Sequence, residues 1–146
     1  FDNIAAKSNL DFDTPVAMIL CDLDELKFMN DTYGHKKGDE LIKAAANLLK
    51  RIFSDIAVVA RVGGDEFAIL LIDRSKREVE SLCELLMEEI LLQNSLKKGP
   101  HISMSFGHAY RSHSKGNMDS LFMEADQKMF QDKRRRKEQK LVRAGR

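Results

Sequence analysis

The chain has 146 residues, of which 43% are hydrophobic and 32% charged, and a formal net charge of +1. That length holds one domain with a proper core and leaves little room for a second, and the composition is that of a globular protein, not of a disordered or membrane chain. No apolar run approaches the roughly 20 residues that cross a bilayer and no signal-peptide pattern opens the chain, so a cytoplasmic location is expected for this segment.

Residues 1–13 read as the tail of a helix or a loop, and Thr14-Pro15 breaks into a first strand, Val16–Cys21, that empties into Asp22-Leu23-Asp24. The stretch from Asp24 to Lys37 is turn-rich. Gly38-Asp39 then leads into a helix whose apolar residues Leu41, Ile42, Ala45, Leu49 and Phe53 recur at spacings of three and four. Ile56–Ala60 and Phe67–Ile72 are short and rich in β-branched residues, so they predict a hairpin with Gly63-Gly64 at its turn. Ser75 with Glu78 three residues on is a capping box for a helix carrying Val79, Leu82, Leu86 and Ile90, which Gly99-Pro100 stops. His101–Tyr110 alternates as a strand does, Arg111–Asn117 is a polar loop, and Met118 to about Glu138 is a last helix with Leu121, Phe122, Ala125, Met129 and Phe130 on its apolar side. The order strand, helix, strand, strand, helix, strand, helix predicts an α+β fold on the split βαβ, ferredoxin-like plan. In that plan a central antiparallel sheet with a βαββαβ core is covered by helices on one face, and the first strand lies beside the hairpin at its centre.

Two acidic clusters carry the chemistry. Asp22 and Asp24 stand at the end of a buried strand, and Asp65-Glu66 follow the glycine pair; the topology brings them to neighbouring strand ends. Gathered carboxylates repel unless a cation compensates them, and magnesium, which takes oxygen ligands from one or two carboxylates together with phosphates and water, suits the set. Gly63 and Gly64, free to take positive φ and without side chains, would let backbone N–H groups approach phosphate. An ordinary hairpin with a polar tip is the competing reading, and the second cluster decides against it. Cys21 and Cys83 sit in apolar surroundings and read as buried, reduced thiols. Lys133-Arg134-Arg135-Arg136-Lys137 puts five cations in a row; on a helix Lys133 and Lys137 share a face while the arginines read as solvated. Use of this run on nucleic acid is disfavoured by the lack of interleaved aromatic residues.

The stretch Asp22 to Asp39, with Gly63-Gly64-Asp65-Glu66-Phe67, resembles the GGDEF family of diguanylate cyclases. The likeness continues through Ile102–Gly107, similar to the family's late Ser-x-Gly strand, and through Ala125-Asp126 to Lys133 and Lys137, so that it covers nearly the whole chain as one domain, 1–146. It implies the palm fold shared with nucleotide cyclases and a reaction that joins two GTP molecules into cyclic di-GMP with release of pyrophosphate. By the same resemblance Asp22, the Leu23 carbonyl, Asp65 and Glu66 hold two Mg2+ ions per site, with Mn2+ able to substitute. Asp65 accepts the hydroxyl proton with Glu66 beside it, Lys27 supports the transferring phosphate, and Lys133 and Lys137 contact the triphosphate. Gly63 and Gly64 line the phosphates. Asn30 and Asp39 read the base, since a carboxylate accepts from both N1–H and the exocyclic amine of guanine. His35 matches the motif either as a ligand contact or as a structural histidine that stabilises the turn through hydrogen bonds; Tyr33 and Phe67 read as packing residues.

One site holds one GTP, so a second GGDEF domain, in a homodimer, is the implied partner, with no nucleic acid and no membrane contact for this segment. The family's amino-terminal Asp-x-Leu-Thr-Gly-Leu-x-Asn-Arg-Arg signature is not found, so the expectation is a domain cut from a longer protein with an upstream sensor. The inhibitory Arg-x-x-Asp falls on Ser54 to Ala57, where neither end matches, and no tight product inhibition is expected there. Leu26 stands where the family has an aromatic residue, Arg136 where it has glycine, and Lys137 where it has arginine. The competing functional class is a GTP-binding member that signals without turnover.

Overall fold

The structure is a computed structural model that describes residues 13–145, so apart from Asp13 the expectation for the opening segment lies outside the described residues. Four strands, β1 (Val16–Leu23), β2 (Val58–Arg61), β3 (Glu66–Ile72) and β4 (Met104–Arg111), form one antiparallel sheet in the order β2-β3-β1-β4. Among the described residues four helices accompany them: α1 (Leu26–Tyr33), α2 (His35–Phe53), α3 (Lys76–Leu96) and α4 (Met118–Ala144). The expected α+β palm is thus present, with β1 and β3 at its centre.

Helices cover both faces of the sheet rather than one. All eight residues of β1 are buried, and the reason lies in its composition: Val16, Met18 and Leu20 point one way, Ala17, Ile19 and Cys21 the other. A strand with six successive apolar residues, Val16 to Cys21, needs cover on both sides. The first face packs with Ala68 and Leu70 against Leu121, Ala125 and Met129 of α4; the second packs with Ile69 and Leu71 against Leu48, Leu49 and Phe53 of α2 and Val79 and Leu86 of α3. Burying one such side chain is worth about 1.5–3 kcal/mol, so both layers contribute heavily.

The Asp24–Lys37 stretch is mostly helix. Leu26 is the only buried residue of α1, so eight residues with a single anchor carry no readable period. Gly34 separates α1 from α2 with φ +90°, a conformation that a side chain strongly disfavours, and its N–H caps α1 on the Asn30 carbonyl at 2.9 Å. The second helix therefore begins at His35, ahead of Gly38. Ile56 and Ala57 fall outside β2 because their N–H groups both bond to the Phe53 carbonyl, at 3.0 and 2.8 Å, winding off the end of α2. The Ser75–Glu78 capping box forms as expected. At the other end of α3, Lys97 takes the left-handed turn two residues before Gly99. His101–Ser103 precede β4 proper; Ile102 is instead held by the Asn94 side chain through two bonds of 2.8 Å. Cys21 and Cys83 are free and buried, as expected, and burial pushes both thiols up, Cys83 to about 12.

Candidate metal centre

The end of β1 and the β2–β3 hairpin meet where the acidic clusters lie. Asp22 pairs in register with Glu66, and the Leu23 N–H donates to the Asp65 carbonyl at 2.8 Å, which locks the two segments together. One oxygen from each of Asp22, Asp65 and Glu66 lies within 4.8 Å of the others. Alternation puts Asp22 on the face covered by α4, one step beyond Leu20, so a carboxylate stands where an apolar residue would otherwise pack.

From α4, Lys133 Nζ donates to Asp22 Oδ2 at 2.7 Å. Asp22 is 6% exposed, and its Oδ1 is buried with no hydrogen-bond partner among the described residues. Burial pushes the Asp22 carboxyl above its ordinary range and the Asp65 charge adds to the rise, while the Lys133 bond opposes it. Glu66 is raised in the same direction, by burial first and then by the charges of Asp22 and Asp65. Lys133 is raised by its hydrogen bond to Asp22. One ammonium thus undercompensates three carboxylates. An orphaned buried oxygen beside two more carboxylates is the donor set a hard divalent cation takes, so the residues fit such an ion.

The glycines act differently from expectation. Neither Gly63 nor Gly64 has positive φ. Arg61 turns back over the hairpin, its Nε on the Gly63 carbonyl at 3.1 Å and its Nη2 on the Gly64 carbonyl at 2.7 Å. The glycines are exposed, and a Cβ at Gly64 would meet nothing within 4 Å, so they keep the approach to the carboxylates open rather than relieve backbone strain. Arg61 was not foreseen; a cation just before a glycine pair is its only sequence signal.

Asn30 on α1 fits into the space that a Cβ of Gly38 on α2 would occupy, so Gly38 is small because Asn30 packs there. Asp39 follows on the same helix, exposed, and Lys27 is exposed near the start of α1. Among the described residues neither joins the carboxylates through a hydrogen bond or ion pair. His35 is exposed and makes no side-chain hydrogen bond among the described residues. Phe67 is buried, as a packing residue should be, but Tyr33 is 61% exposed, with its ring edge-on to Phe28 at a centre-to-centre distance of 6.5 Å. Leu26 is packed in the core.

Lys133 and Lys137 line one cleft of about 670 Å3 between α4, α3 and the start of β4, and Asp24 and Arg136 line it too. Arg136 is not solvated: its Nε donates to Asp24 Oδ2 at 3.1 Å and its Nη2 to Ser103 Oγ at 3.0 Å. Ser103 and the fully buried Ser105 also donate to Asp24, at 3.0 and 2.7 Å. The late Ser-x-Gly therefore has two physical tasks, since a Cβ at Gly107 would run into the α4 backbone.

Residues 3–139 match the family model described as diguanylate cyclase, GGDEF domain, and the chain belongs to that family. It is 33% identical over 138 residues to the diguanylate cyclase DgcN of Escherichia coli, an alignment covering 93% of this chain and 34% of that protein. The chain spans between 12% and 37% of the length of curated relatives it matches. Among solved structures it resembles the active GGEEF domain of a diguanylate cyclase from Vibrio cholerae, with TM-score 0.72, 29% identity and coverage of 84% and 78%. It also resembles the GGDEF domain of DgcB from Caulobacter crescentus in complex with c-di-GMP, with TM-score 0.71, 26% identity and coverage of 91% and 80%. No described helix is long and apolar enough to cross a membrane.

Proposed function

We propose that this domain is a diguanylate cyclase, joining two GTP molecules, one held by each of two facing copies. The 3′-hydroxyl of each attacks the α-phosphorus of the other; a new P–O bond forms, the bond to the β-phosphate oxygen breaks, and pyrophosphate leaves. The observation that carries this reading is the meeting of Asp22, Asp65 and Glu66 with an unpartnered buried oxygen, in a member of a cyclase family.

In this reading Asp22, the Leu23 carbonyl, Asp65 and Glu66 would hold Mg2+. When bound, magnesium neutralises phosphate charge and acidifies the attacking hydroxyl. Asp65, half-exposed at the hairpin tip, takes the proton released from that hydroxyl. Lys133 and Lys137, on the wall of the adjoining cleft, receive the triphosphate, and Lys27 supports the charge that builds on the transferring group. Asn30 and Asp39 select guanine. Since catalysis is mostly placement and electrostatics, the half-site in each copy is inert without its partner. The cytoplasm, where GTP and magnesium are abundant, is the matching compartment.

Incubation with GTP and magnesium, followed by chromatography, is expected to yield cyclic di-GMP from the wild type and none from a folded Asp65→Asn variant. Product from Asp65→Asn at the wild-type rate would refute the assignment. A second reading, nucleotide binding without turnover, draws support from Lys133, whose ammonium is committed to Asp22. It predicts GTP retention with no cyclic product.

A further inference from the structure

We propose that Arg136 is a positioning residue for the metal centre. Its guanidinium clamps Asp24, and through Asp24 the backbone of Asp22-Leu23-Asp24, in the form that receives a divalent cation. This rests on the metal-centre reading above and goes beyond it, because it assigns a task to a side chain at a position where the family has glycine.

Three cations on one stripe of α4 reach three acidic residues of one turn. Lys133 pairs with Asp22, Arg136 with Asp24 and Lys140 with Glu25. The helix positions are separated by three and four residues, the spacing that keeps side chains on one face. The middle rung is unlike its neighbours. Asp24 Oδ2 accepts from Arg136 Nε and Ser103 Oγ, Oδ1 accepts from Ser105 Oγ, and the Asp24 N–H donates to the Ser103 carbonyl at 2.9 Å. Both carboxylate oxygens are therefore taken, and the side chain is only 15% exposed. Asp24 is thus no free metal ligand like Asp22, whose Oδ1 has no partner. It is a fixed post.

What the post holds is a strained turn. Glu25, immediately after Asp24, has φ 67° and ψ 15°, a left-handed conformation that a side chain disfavours because Cβ crowds the following carbonyl oxygen. Its carbonyl accepts from the Met29 N–H at 2.9 Å and starts α1, the helix that carries Lys27 and Asn30. The backbone between the metal ligands and this helix is one short link, and strain of this kind persists only where surroundings over-determine it. Arginine suits the task because its fork donates in two directions at once, to Asp24 and to Ser103; an ammonium is a single point charge.

The test is Mn2+ binding to nucleotide-free protein, followed by loss of the free-ion electron paramagnetic resonance signal, for wild type, Arg136→Gln and Arg136→Lys. Losing a direct partner of a metal ligand typically changes affinity by about 10–100-fold; Arg136 acts one step further out, so a loss of up to about tenfold is expected for Arg136→Gln, with partial recovery in Arg136→Lys. Circular dichroism shows whether the variants are folded. If Arg136→Gln does not fold, Ser105→Ala, which frees one Asp24 oxygen, carries the same expectation with a smaller loss. Affinity in folded Arg136→Gln equal to wild type would overturn the proposal while leaving the metal centre standing. Absence of Mn2+ binding by the wild type would overturn both.

Discussion

Lys133 Nζ lies 2.7 Å from Asp22 Oδ2, although 111 residues separate the two in the chain. A residue expected at the triphosphate thus rests on a carboxylate of the candidate metal centre, in the place proposed for a cation. Removing it should have opposite effects on the two ligands. In Lys133→Met, Mn2+ binding to the nucleotide-free protein is expected to tighten by about three- to tenfold, since a competing charge near 3 Å is gone, while GTP binds more weakly. Calorimetric titration with each ligand measures both; weaker metal binding would show that Lys133 supports the cation instead of competing with it.

The acidic centre gives a pH dependence of known sign. Asp22 and Glu66 have folded-state pKa values raised above the ordinary 3.8 and 4.5, so the folded protein holds their protons more tightly than the unfolded chain does. That contribution to stability is fully present below the ordinary values and is lost as pH climbs through the raised ones. With metal removed by chelation, wild type should therefore lose stability relative to Glu66→Gln as pH rises above the ordinary value of 4.5, and magnesium should return part of it once the carboxylates are ionised. Urea melts at each pH measure the difference; a flat difference refutes the assignment.

Gly107 packs β4 against α4 so closely that an added Cβ would come within 2.6 Å of the Ala125 carbonyl oxygen. Backbone cannot step aside as a side-chain tip can. Gly107→Ala is expected to cost about 1–3 kcal/mol by overpacking, read from the shift of the urea midpoint at unchanged slope.

In the proposed reaction each of two copies supplies one GTP, so cyclase activity should depend on pairing. Specific activity is expected to rise with protein concentration and to fall on dilution toward zero. A constant value across a hundredfold dilution would refute the two-copy reaction.

The elements whose interiors are apolar were legible because their pattern is also their packing: β1, β3, α2 and α3 fall within a few residues of expectation. α1 was not legible, because eight residues with one buried anchor leave no periodic trace. Nor was the cover on both faces drawn out, although β1 holds it in its unbroken apolar run. At the site, Asp22, Asp65 and Glu66 were legible as neighbours because acidic residues at strand ends have few other uses. Asp24 stands in the first acidic cluster without a role read from the sequence, and its contacts with Ser103, Ser105 and Arg136 show that its oxygens are spent.

The order of residues by itself determined the family, the palm plan and the meeting of two acidic clusters, because motif spacing and apolar periodicity are local properties of the chain. Tertiary structure alone decided which carboxylate is free and which is clamped, where Lys133 rests, and that Arg136 is engaged rather than solvated. Those outcomes depend on side chains more than a hundred residues apart meeting across α4 and β1, and no local pattern encodes such a distance.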